Sequence, residues 1–173
     1  MRFLLSAALA ASLLGSQAAM AAASCAGEAE RTAFDIAGLK SQLMVTALTC
    51  SENDRYNAFV SRFRPNLTGN EKVLNSYFSR TFGRSGQKQH DDYITQLANE
   101  QSQTGLKQGT AFCTQSVELF DEVAALRNGT ELPDFASGKT LVQPISMTNC
   151  GVEPRSAAPA TTRSRRPSTS RHR

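Results

Sequence analysis

Four cysteines, Cys25, Cys50, Cys113 and Cys150, are spread over most of this 173-residue chain. They constrain its fold more than any other feature, because they follow a leader of the kind that sends a protein out of the reducing cytoplasm. The leader reads MRFLLSAALAASLLGSQAAMAAASC, with one positive charge at Arg2, an apolar run over residues 3–14, and small residues after it. Ala21-Ala22-Ala23 meets the small-x-small rule for signal peptidase, so residues 1–23 are expected to be removed before Ser24; Ala19-Met20-Ala21 is a second site. The run is too short and Ala-rich for a spanning helix of ~20 residues, and it lacks a basic flank, which argues against a retained anchor. Lipidation of Cys25 would require a Leu-like residue where Ala22 stands, and it would leave an odd number of thiols. An even number of cysteines in an exported chain implies two disulfides, with three possible connectivities.

Five segments carry apolar residues at helical spacing. The first covers residues 28–49, with Ile36, Leu39, Leu43 and Ala47 in one stripe and Cys50 in register at its end. The second covers 53–64, with Tyr56, Phe59, Val60 and Phe63 on one face, and Pro65 is expected to end it. The third starts at the T-x-x-E capping box Thr68-Gly69-Asn70-Glu71 and runs to Phe82. The fourth follows Ser85-Gly86, with His90, Tyr93, Ile94, Leu97, Ala98 and Gln101 as its stripe and Gly105 as its stop. The fifth covers 110–128, with Phe112, Cys113, Val117, Phe120, Val123 and Ala124 as its buried face. Alternating patterns are nearly absent; only residues 140–147 suit an extended segment, and Pro144 interrupts them. The expected fold is all-α: a small bundle of about five helices in residues 24–153, with antiparallel neighbours.

Antiparallel packing of the first and fifth helices brings Cys50 to Cys113 and leaves Cys25 to pair with Cys150. Pairing Cys25 with Cys50 would join the two ends of one helix, some 30 Å apart at about 1.5 Å per residue. Pairing Cys25 with Cys113 would need the two helices to run parallel, which ranks second.

The charge is uneven. Residues 154–173 hold six arginines, Arg155, Arg163, Arg165, Arg166, Arg171 and Arg173, and no acid. Residues 24–153 hold 12 basic and 15 acidic side chains, a net charge of about −3. The pI near 9.1 therefore describes the tail. The tail has no large apolar residue and is expected to be disordered. It suits contact with an anionic surface through those six arginines, or serves only as a solubilising end. A specific nucleic-acid partner is not expected.

Chemistry-bearing motifs are sparse. His90-Asp91-Asp92 has the look of a metal-phosphohydrolase pair, but residues 24–153 contain no second histidine to complete a ligand set. No C-x-x-C, G-x-S-x-G or phosphate-binding Gly loop is present, and no cofactor is expected. Glu52, Asp54 and Glu118 are candidates for a paired-carboxylate hydrolase, although pairing is a property of three dimensions. Asn66-Leu67-Thr68 and Asn128-Gly129-Thr130 match the glycosylation sequon, at expected helix boundaries. Aromatics from Tyr56 to Tyr93 interleave with arginines; core packing under arginine stems is the ordinary explanation. The other is a ligand groove made by His90, Asp91, Tyr93, Arg62 and Arg80.

The stretches DRYNAFVSRFRPNL, LNSYFSRTFG, HDDYITQLANEQS and FC, within residues 45–128, resemble a family of small exported proteins of alphaproteobacteria. That resemblance implies an exported helical domain; it implies no activity and supplies no site residues. The functional expectation is an exported, periplasmic or secreted, non-enzymatic binding or accessory protein. The alternative is a small hydrolase of envelope polymers using helix carboxylates.

Overall fold

The computed structural model describes residues 25–150. The leader, the expected cleavage site before Ser24 and the tail with its six arginines lie outside the described residues. Seven α-helices follow in order: α1 Glu28–Cys50, α2 Asn53–Arg62, α3 Arg64–Phe82, α4 Gly86–Gln108, α5 Ala111–Ser116, α6 Glu118–Ala124 and α7 Leu132–Ser137. Short 3-10 turns, Gly83–Ser85 and Gly129–Glu131, precede α4 and α7. Among the described residues the only β pairing is an isolated parallel bridge between Ala26 and Asn149. The fold is therefore the all-α bundle expected from the helical periodicity.

Helix α1 is the axis of the bundle. It is buried on more than one face, from Ala33 and Phe34 through Leu39 and Leu43 to Ala47, and such a helix must be enclosed by others. It contacts α2, α3, α4, α5 and α7. Two cores form around it. Ile36, Leu39, Leu43 and Ala47 pack with Phe59, Phe63, Phe120, Val123, Leu132 and Ala136. Ala33, Phe34 and Ala37 pack with Leu74, Tyr77, Phe78, Tyr93 and Leu97. In the second core Phe34 meets the rings of Tyr77 and Tyr93 edge-on at 5.0 and 5.1 Å, a geometry that aligns ring edges with ring faces.

Several helix boundaries differ from the sequence expectation. Pro65 opens α3 rather than ending α2: it sits in the first turn, where a missing N–H costs nothing. Thr68 and Glu71 therefore lie inside α3 and form no capping box. A half-box operates at α1 instead, where the Gly27 N–H donates to Glu30 Oε2 at 2.8 Å. Gly105 does not end α4, which continues to Gln108 and stops at Gly109 with φ of 59°. Gly105 lies inside the helix, and its bare backbone makes room for Phe112; a Cβ there would lie 3.0 Å from the ring. The fifth expected helix is divided at Val117, where the Phe120 N–H bonds the Val117 carbonyl. It ends at Ala124 because Arg62 donates to the Ala124 and Leu126 carbonyls and so caps it. The sequon residues are engaged structurally: Asn66 Nδ2 donates to Gly129 O at 3.0 Å, and Asn128 Oδ1 accepts from the Thr130 N–H at 2.9 Å.

Residues 139–150 form a strap that crosses α1 and returns to the start of the domain. Gln143 anchors it, donating to the Phe34 carbonyl at 2.9 Å and accepting from Tyr93 Oη at 2.9 Å. Gly38 lets it approach, since a Cβ there would lie 2.7 Å from Gln143 Nε2. The Ala26 N–H donates to Thr148 O, and the Cys150 N–H to Ala26 O. The disulfides then close the fold. Cys25 joins Cys150 across 125 residues, and Cys50 joins Cys113 across 63, with Cα separations of 4.9 and 5.6 Å. These are the pairs that antiparallel packing of the first and fifth helices calls for.

Loops of this length remove enough denatured-state entropy for each bond to contribute up to about 4–5 kcal/mol. Replacing Cys25 and Cys150 together by Ala is expected to lower the unfolding free energy by several kcal/mol in denaturant titrations. A loss below about 1 kcal/mol would mean that the strap hydrogen bonds hold the two ends without the bond.

Candidate functional site

A polar cleft of about 300 Å³ opens where α1, α4, α5, α6 and the start of the strap meet. Helix α4 supplies its floor: Gln101, Thr104 and Gln108 fall at i, i+3 and i+7, which places them along one face. Gln42 comes from α1 and Gln115 from α5. Glu118 and Glu122 stand one turn apart on α6, and Lys139 faces them from the strap. Phe112 closes the apolar side, together with Leu119, Leu141 and Val142.

Gln101 is the most deeply buried polar residue that lines this cleft. Leu97 and Gln101 are one turn apart on the buried face of α4, so the chain places a carboxamide where a core side chain is expected. It is 1% exposed. Its Nε2 donates to the Gly38 carbonyl of α1 at 3.1 Å, while its Oε1 has no hydrogen-bond partner among the described residues. An unmet buried acceptor costs about 1–3 kcal/mol, so this amide is expensive as a purely structural element. On the cleft wall Glu122 is neutralised by Lys139 at 2.7 Å. Glu118 makes no ion pair among the described residues and is exposed.

A second cleft of about 400 Å³ lies between α3, α4 and residues 145–148 of the strap. Tyr77, Phe78, Phe82 and Tyr93 form its aromatic wall, with Gln89, Asp92 and Gln96 on the α4 side. Phe82 is 42% exposed and stacks on Phe78 at 5.9 Å.

The five residues proposed from sequence as one groove are distributed over the molecule. Tyr93 lines the aromatic cleft. Arg62 lines a separate depression with Arg55, Phe59 and Phe120, and its guanidinium lies 5.0 Å from the centre of the Phe63 ring. Arg80 binds both oxygens of Glu30, at 2.8 and 3.0 Å, and the Cys25 carbonyl, and lies over Tyr77. His90 is buried against Phe78, with Nε2 3.3 Å from Glu71 Oε1. Asp91 is exposed and accepts from Gln87 Nε2 at 2.9 Å. The arginines are drawn away from any common groove because carbonyls and carboxylates nearer to each one compete for its donors. Of the hydrolase candidates, Glu52 sits beside Arg55 at 4.0 Å, Asp54 is exposed at the start of α2, and Glu118 alone reaches the polar cleft. Among the described residues no three His, Cys, Asp or Glu side chains are grouped to share a metal ion.

Tyr93 also gives the fold a pH dependence. Burial pushes its hydroxyl well above the ordinary 10.0, against the lowering effect of the Gln143 hydrogen bond, and the nearby Asp35 carboxylate adds to the rise. Burial raises Tyr56 and Tyr77 as well. The folded state thus holds these protons more tightly than the unfolded chain. The stability they confer is present below the ordinary tyrosine value and is lost as pH climbs beyond it. Unfolding free energy is expected to fall from about pH 10 upward. Tyr93→Phe should make that fall shallower and should cost about 1–3 kcal/mol at neutral pH, by leaving Gln143 Oε1 unpaired. An alkaline profile identical to that of the parent protein would contradict this assignment.

No family model matches the chain, and no curated protein and no solved structure is significantly similar to it.

Proposed function

We propose that this is an exported, non-enzymatic binding or accessory protein of the periplasm or the extracellular space, and that its ligand seats in the polar cleft floored by Gln101. The observation that carries the reading is the buried, unsatisfied Gln101 Oε1 in the wall of an open cleft. A ligand seated in the cleft would bring donors beside this side chain, and a small turn of the amide would let its oxygen accept from one. The address rests on the leader, supported by two disulfides that suit an oxidising compartment. Among the described residues no helix is long and apolar enough to cross a membrane. The arginine tail would add a contact with anionic headgroups, each basic residue contributing about 1 kcal/mol near such a surface.

One observation favours the alternative of a small envelope-polymer hydrolase: Glu118 and Glu122 share the cleft wall. Against it, Lys139 holds Glu122, which leaves Glu118 without a second free carboxylate there.

The disulfide-intact mature protein, incubated with solubilised envelope glycans and peptides, is expected to show a raised melting temperature and to return its ligand chemically unchanged. Steady turnover that disappears in Glu118→Gln or Glu122→Gln would overturn the binding reading in favour of the hydrolase. A chain recovered from an exporting host with residues 1–23 still attached would contradict the exported, processed form.

A further inference from the structure

Resting on that binding reading, we infer that the polar cleft is a saccharide site whose ligand is a short, uncharged, polyhydroxylated chain. The chemistry of the lining selects this class. Gln42, Gln101, Gln108 and Gln115 bring four carboxamides; Gln42 and Gln101 each spend a donor on α1, at Thr46 Oγ1 and the Gly38 carbonyl, while the exposed Gln108 and Gln115 offer both donors and an acceptor. Thr104, Ser116 and Thr140 add hydroxyls. A ligand matching this set must donate and accept at closely spaced centres, which is what ring hydroxyls do.

Charge points the same way. Glu122 and Lys139 neutralise each other, so the cleft has neither a guanidinium nor a surplus ammonium to recognise a phosphate or carboxylate. A bare cation would use the free carboxylate of Glu118, but it would leave the exposed Gln108 and Gln115 amide donors without an acceptor. A peptide could satisfy amides. The usual peptide-recognition modes, however, need a sheet edge, a long apolar groove for a helix, or an aromatic-lined trough for a polyproline segment. Helices, 3-10 turns and the strap form this cleft, and its one aromatic, Phe112, is 3% exposed.

Size fits as well. A volume of about 300 Å³ is at the lower end of small-molecule sites, which favours a ligand bound end-on or through one or two units over a long polymer laid along a surface. The exposed Glu118 carboxylate can accept from ring hydroxyls, while the exposed Gln108 and Gln115 amides can donate to ring and hydroxyl oxygens.

The test uses the mature, disulfide-intact protein labelled with nitrogen-15, because side-chain amide resonances report the lining groups themselves. Maltotriose, cellotriose and triacetylchitotriose are titrated separately to millimolar concentration, with tetra-alanine as the peptide comparison. At least one trisaccharide is expected to give saturable shifts in the Gln42, Gln101, Gln108 and Gln115 side-chain amides. Gln108→Ala, at an exposed position where folding is unaffected, should weaken that affinity by about tenfold. Gln101→Leu should weaken it at least as much. Absence of saturable shifts with all three sugars overturns the saccharide assignment, as does saturation by tetra-alanine alone or shifts confined to the cleft of Phe82 and Tyr93. Cleavage of a bound trisaccharide would overturn the non-enzymatic reading but leave the saccharide class standing. Sugar silence combined with retained binding of another envelope component would do the reverse.

Discussion

Burial of α1 on more than one face is the constraint on which the rest of the molecule depends. A single helix of 23 residues presents Leu39 and Leu43 to one core and Phe34 to another. Fully burying side chains of this kind is worth roughly 1.5–3 kcal/mol each, so the other helices are selected by their capacity to cover one side or the other. Helices α2, α6 and α7 cover the first side. Helices α3 and α4 cover the second. Both disulfides attach at the ends of this axis, Cys25 just before α1 and Cys50 as its last residue. The bundle is thus pinned where a central helix is most prone to fray.

The polar cleft forms at the flank of the first core, where Leu119 and Leu141 pack against it. Gly38 sits on α1 between Ala37 of one core and Leu39 of the other. Its carbonyl accepts from Gln101, and its missing side chain admits Leu141 and Gln143 of the strap. A larger residue there would push away the strap that forms one wall of the cleft. The cleft is therefore not a surface accident; it follows from the same small residue that lets residues 139–150 return to Cys25. Stability and cleft share one element, and this links the closing disulfide to the geometry of the cleft.

Much of this was legible in the sequence. The stripe of Ile36, Leu39, Leu43 and Ala47 specified one face of α1, and the position of Cys50 on it led to the partner Cys113. Boundaries were less legible because they are decided by tertiary contacts. Arg62 caps the end of α6 from another helix, and Phe112 of the next helix packs where a side chain on Gly105 would stand. Pro65 carries the same local signal whether it stops one helix or starts another. The short α7 has too few residues for a periodic signal, yet Leu132 and Ala136 are completely buried. The groove assembled from His90, Asp91, Tyr93, Arg62 and Arg80 shows the opposite limit: residue types suggest chemistry, while competition among local partners determines where each side chain goes. Gln101 was visible as the polar end of the α4 stripe. Only the fold shows that its Oε1 is unmet and that a cleft lies beside it.

If Gln101 serves a ligand rather than folding, the unfolding free energy of Gln101→Leu measured without ligand will show it. Leucine removes the unsatisfied acceptor and continues the apolar face begun by Leu97. The variant is expected to be as stable as the parent protein or more stable, since an unmet buried acceptor has been removed. A loss of more than about 2 kcal/mol would contradict it, because the amide would then be holding α1 and α4 together through Gly38 rather than waiting for a donor.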